Sequence, residues 1–111
     1  MTIREMVREI QAEVGTGDFV PNRACDLLNK LTALLGNCLA EVRARDGQYA
    51  AVLLHELETC DKANRARIRA ECSEAYQLKR EARDTKELVT EMIRSLKYAI
   101  RSASDEMRLA R

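Results

Sequence analysis

The chain has 111 residues, of which 33% are charged and 4% aromatic, with a formal net charge of +1. A chain of this length forms one domain at most, and charges this numerous but balanced produce a weak overall field. That balance argues against dedicated binding of duplex nucleic acid, and the absence of Trp with a single Pro argues for elongated helices over a compact globule.

Thr2-Ile3-Arg4-Glu5 has the form of a capping box, in which hydroxyl and carboxylate satisfy the first amides of a helix. Ile3, Met6, Val7, Ile10 and Val14 then repeat at helical spacing, predicting a short helix over residues 1–15. Gly15-Thr16-Gly17-Asp18 is a stop signal, because glycine adopts the left-handed conformation that ends helices. Phe19 and Val20 are expected to pin the following loop to the body.

Pro21 suits the first position of a second helix, where its missing N–H costs nothing. The predicted helix spans 21–60 on a stripe of Ala24, Leu28, Leu31, Leu35, Cys38, Val42, Arg45, Tyr49 and Val52, widened by Leu27, Leu34 and Leu39. Asp46-Gly47 inside it is ordinarily a turn signal. The heptad phase is the same on both sides, which argues for a helix carrying an isolated Gly at about 1 kcal/mol relative to Ala.

Residues 61–111 read as a last long helix with a candidate break near 73, Asp61 being the expected N-cap and Ser73-Glu74 a candidate restart. From Leu78 a heptad stripe runs through Ala82, Thr85, Val89, Met92, Leu96, Ala99, Ala103 and Met107 to Ala110. Leu88, Ile93 and Ile100 broaden it, predicting burial on more than one side. The two long helices would be of similar length, near ~58 Å and ~57 Å at 1.5 Å per residue. The predicted fold is all-α: a short N-terminal helix and a long antiparallel hairpin, with a thin core completed by dimerising into a helical bundle or by a higher helical oligomer. The seam residues Leu78, Val89, Met92, Leu96, Ala99 and Ala103 would carry intramolecular or dimer packing.

Catalytic constellations are not apparent. His55 is the single histidine and has no ligand or triad partner on its helical face. Cys25, Cys38, Cys60 and Cys72 form no CxxC pair; reduced thiols acting as small apolar residues are the expectation. Carboxylate pairs at i, i+3 occur at Glu58/Asp61, Glu71/Glu74 and Glu81/Asp84, and the last two follow the order of the ExxE and ExxD magnesium-binding pattern that all-α nucleotide pyrophosphohydrolases carry. Only six residues separate the last two pairs, too few for a two-helix site, and solvated helix faces explain the acids better. The expectation is no enzyme, no cofactor and no metal. With no secretory leader pattern, and a longest apolar run of six residues, Tyr49–Leu54, the chain reads as cytoplasmic and free of membrane spans.

The basic residues offer the alternative function. Lys62, Arg65, Arg67 and Arg69 cluster between the long helices, and Arg94, Lys97 and Arg101 recur on one face of the last, beside Tyr98. Such rows can follow a single strand of nucleic acid through phosphate contacts and stacking. The near-zero net charge favours reading them instead as the solvated flank of a helical seam, whose Lys and Arg stems cover apolar surface.

Two stretches carry a resemblance: Lys62-Ala63-Asn64-Arg65-Ala66-Arg67-Ile68-Arg69-Ala70-Glu71 with Glu74-Ala75-Tyr76, and Glu91 to Ser102 followed by Asp105-Glu106-Met107-Arg108. Together they resemble small, mostly uncharacterised all-α proteins of tailed bacteriophages and prophages, found in replication and recombination gene clusters. The resemblance implies a phage or prophage origin, assigns no enzyme class and transfers no functional residue. The leading expectation is therefore a non-enzymatic phage interaction protein working through protein contacts. An accessory single-stranded nucleic-acid binder and a small inhibitor of a host defence system are the alternatives.

Overall fold

In the computed structural model, residues 2–16 and 21–109 are described, and among them there are four α-helices and no strand. These are α1 (Ile3–Thr16), α2 (Pro21–Thr59), α3 (Ala63–Glu71) and α4 (Glu74–Leu109). The fold class is all-α. The expected stop at Gly17-Asp18, the Phe19 and Val20 pin, Met1 and the stripe's last residue Ala110 lie outside the described residues.

Local sequence explains the helix ends. Glu5 N–H donates to Thr2 Oγ1 at 3.2 Å and Thr2 N–H donates to Glu5 Oε2 at 3.4 Å, the reciprocal pair of a capping box. Helix α2 runs through Asp46-Gly47 without a break. The N-cap of α3 is Lys62, in extended conformation and with no side-chain bond to the helix, one residue beyond the expected cap Asp61. The one-residue shift leaves the first amides of α3 without a carboxylate. Between α3 and α4 the chain turns at Cys72-Ser73: Ser73 Oγ donates to Ala70 O at 2.5 Å and accepts from Tyr76 N–H at 3.3 Å. Ser73 therefore caps α4, and Ser73→Ala is expected to cost about 1 kcal/mol, read as a lower thermal midpoint.

The chain divides into two compact units, one of Met1–Asn37 with Glu87–Arg111, the other of Cys38–Lys86. The first unit holds the bulky core. Val7 and Ile10 from α1, Ala24, Leu27, Leu31 and Leu34 from α2, and Val89, Met92, Ile93 and Leu96 from α4 are buried. Each large aliphatic buried this way contributes roughly 1.5–3 kcal/mol of transfer free energy. The interior stripe of α2 uses Leu27 and Leu34, while Leu28 and Leu35 are half-buried. Adjacent leucines both fall within the ~100° width of an apolar stripe, so periodicity alone does not choose between them. Arg23 ties α2 to α1 by donating to both carboxylate oxygens of Glu13, Nη2 to Oε2 at 2.7 Å. That hydrogen bond holds the Glu13 carboxyl below its usual range.

The second unit is built differently. Its buried apolar residues are Cys38, Ala66, Ala70 and Ala82. Small side chains let helices approach closely but remove little area from water. The Tyr49 and Tyr76 rings lie 5.3 Å apart at 48°. Lys79 Nζ sits 4.4 Å from the Tyr49 centroid, and the Arg80 guanidinium 5.9 Å from that of Tyr76. Cation–ring contacts of this kind supply some of the cohesion that large aliphatics provide elsewhere. Arg83 Nη2 donates to Asp46 Oδ2 at 3.1 Å, and Asp46 Oδ1 is buried without a hydrogen-bond partner.

Candidate interaction surfaces

Of the predicted seam residues, Val89, Met92 and Leu96 are buried inside the first unit, Leu78 and Ala103 are half-buried and Ala99 is exposed. The buried members are enclosed by the chain itself and offer no free surface to a partner. Tyr98, Met107 and Leu109 are exposed on the same helix.

The two basic sets have different surroundings. Lys62, Arg65, Arg67 and Arg69 are all exposed. None forms an ion pair among the described residues, and no acid lies between Lys62 and Ala70, giving that stretch a charge of +4. Lys62, Arg65 and Arg69 share one flank of α3 at steps of 3 and 4, with exposed Ile68 beside them. Arg67 lies towards Tyr49, whose phenol is pushed above its ordinary range by burial and then by nearby Glu71, against the opposing effect of Arg67. Arg94, Lys97 and Arg101 are also exposed. Arg94 donates to Glu91 at 2.7 Å, and no acid lies between Arg94 and Arg101, giving that stretch a charge of +3.

A third surface was not singled out by the heptad reading. Outward from the interior stripe of α2, Arg43, Gly47, Ala50, Leu54 and Leu57 recur at steps of 4, 3, 4 and 3, flanked by Ala44, Ala51 and Glu58. All eight are exposed, Leu54 at 58% and Leu57 at 45%. A Cβ on Gly47 would meet nothing within 4 Å, so packing inside the chain does not require the glycine. Arg43 and Glu58 form no ion pair among the described residues. The signal was available as a second 4-3 phase on the same helix, masked because alanine and glycine carry little weight in a search for apolar residues. The Tyr49–Tyr76 pair also went unforeseen, because nothing in local spacing joins residues on different helices.

Cys60 Sγ donates to Glu56 Oε2 at 3.7 Å, the pairing expected of a thiol one helical turn from a carboxylate. All four cysteines are free; Cys38 is buried, Cys60 half-buried, and Cys25 and Cys72 exposed. Cys25 thus departs from the expectation of an apolar interior position, since it faces away from the Ala24–Leu27 stripe. Burial, and then nearby Glu41, pushes the Cys38 thiol upward. His55 is exposed on α2. Among the described residues no group of three or more His, Cys, Asp or Glu side chains is placed to hold a metal ion, and no helix is long and apolar enough to cross a membrane. No protein-family model, curated protein or solved structure matches the chain.

Proposed function

We propose that this is a non-enzymatic helical interaction protein that works through protein–protein contacts, assembles as a homodimer and resides in the cytoplasm. In this reading α2 and α4 form an antiparallel hairpin. Supporting it, later residues of α2 meet earlier residues of α4: Asp46 contacts Arg83, while Tyr49 contacts Lys79 and Tyr76. The observation that carries the reading is the outward face of α2, where Leu54 and Leu57 stand exposed beside alanines and a glycine. On the resemblance of residues 62–76 and 91–108, the setting is a phage or prophage replication and recombination region. Sedimentation velocity over a wide concentration range tests the assembly. The expected mass rises towards twice the 12.6 kDa chain. A mass of one chain throughout contradicts it.

A second reading is supported by one specific observation, the four ion-pair-free cations at α3. Here the protein is an accessory binder of single-stranded nucleic acid, with Lys62, Arg65, Arg67 and Arg69 on phosphates and the shorter row of Arg94, Lys97 and Arg101, whose Arg94 is paired with Glu91, contributing less. Binding of a labelled oligothymidylate should then weaken with salt with a log–log slope of about −3, near −0.7 per neutralised phosphate. Replacing the four α3 cations by Ala should remove the binding, whereas Ala at Arg94, Lys97 and Arg101 should change it about twofold or less. No binding at low salt, or equal loss in both variants, excludes α3 as the contact.

A further inference from the structure

We propose that residues 43–58 of α2 are the homodimer interface, two copies of this helix pairing antiparallel about a twofold axis that passes between Ala50 and Ala51. The inference rests on the dimer reading above and adds the surface and register.

The face is self-complementary in one register. A twofold axis at that point sets each residue of one helix opposite a defined residue of the other. Leu54 then lies over the second copy's Gly47, and Leu57 over its Ala44. Ala50 meets Ala51 at the crossing. Arg43 comes beside Glu58 at both ends of the contact. All of these side chains are exposed. Symmetry supplies each contact twice, as a closed isologous pair requires.

Three features agree with this register. The bulky residues occupy the C-terminal half of the face and the small ones the N-terminal half, so reversal puts large against small. Gly47 stands in mid-helix with open space where its Cβ would be, at a cost of about 1 kcal/mol relative to Ala. A leucine from a second helix gives that position a use, since close approach of backbones needs a missing side chain. The two charges that would meet are opposite, and neither forms an ion pair among the described residues. A parallel pairing would instead set Arg43 beside Arg43 and Glu58 beside Glu58.

The contact is about 22 Å long at 1.5 Å per residue. That is short of a standard interface of about 800 Å² per partner, so a micromolar dimer is expected.

A charge swap tests both surface and register. Arg43→Glu should weaken the dimer about tenfold, because the introduced carboxylate then faces the second copy's Glu58 at two places. Glu58→Arg should weaken it equally, by setting two guanidinium groups together at each end. The double variant, Arg43→Glu with Glu58→Arg, should return to within about threefold of the unaltered chain. Gly47→Leu should abolish dimerisation with helical circular dichroism intact, since the site is open in the single chain. A dimer that forms normally in all four variants, or single variants that are weakened without rescue in the double, overturns the interface while leaving the dimer standing. An unaltered chain that stays monomeric overturns the dimer itself.

Discussion

Leu31→Ala is expected to destabilise the protein by about 2–5 kcal/mol and lower its thermal midpoint by roughly 10–20 °C. Leu31 is 0% exposed, as is Leu27 one turn before it, in the unit that also buries Val89 and Leu96. Truncation removes the transfer free energy of three carbons and leaves a cavity between helices that cannot close without moving them. Small domains have only about 5–15 kcal/mol in total, so the loss is a large share. Leu54→Ala serves as the control. At 58% exposed it should change the stability of the single chain by only about 0.5 kcal/mol or less. Chemical unfolding of both variants at low protein concentration checks the contrast. Equal effects would mean that the burial pattern of α2 is wrong.

The opposite change should be most harmful in the other unit. Ala70→Leu is expected to cost about 1–3 kcal/mol, because Ala70 and Ala66, both 0% exposed, are the buried residues of α3. A larger side chain at a fully enclosed position must displace its neighbours, pushing α3 away from them. Trypsin offers a local readout, since Arg65, Arg67 and Arg69 all lie on α3. Cleavage at these arginines should accelerate well before global unfolding. If Ala70→Leu leaves both cleavage and midpoint unchanged, α3 is not held by close alanine packing.

The helices were legible because their signals are local. Thr2 and Glu5, the leucine repeats and the seam from Val89 to Leu96 act through neighbours three or four residues apart, and that is the distance over which helix geometry is set. The same locality explains the run through Gly47: one glycine costs less than ending a helix whose apolar phase continues on both sides. What the repeats did not carry was the distribution of mass between the two units. Cys38 and Ala82 stand on the predicted stripes but carry little bulk, and Ala66 and Ala70 stand on none, yet these four are the buried residues of the second unit. Its two tyrosines meet across helices and Lys79 reaches the Tyr49 ring from α4, relations with no trace in spacing. The candidate surfaces were legible to different degrees. The α3 cations stand out as a charge run. The outer face of α2 becomes visible only when the inner face is known to be occupied, because the two stripes share one helix and one period.

Residue-resolved hydrogen exchange of the single chain at low concentration reads out whether packing energy is concentrated in the first unit, with the second left a thin interior and outward-facing surfaces. Amides near Leu27–Leu34 and Val89–Leu96 should open only with global unfolding, and those of α3 should exchange by local opening at lower free energy. Along α2, protection should fall from the first unit towards Thr59. Uniform protection across α2, α3 and α4, or slower exchange in α3 than around Leu31, would contradict it.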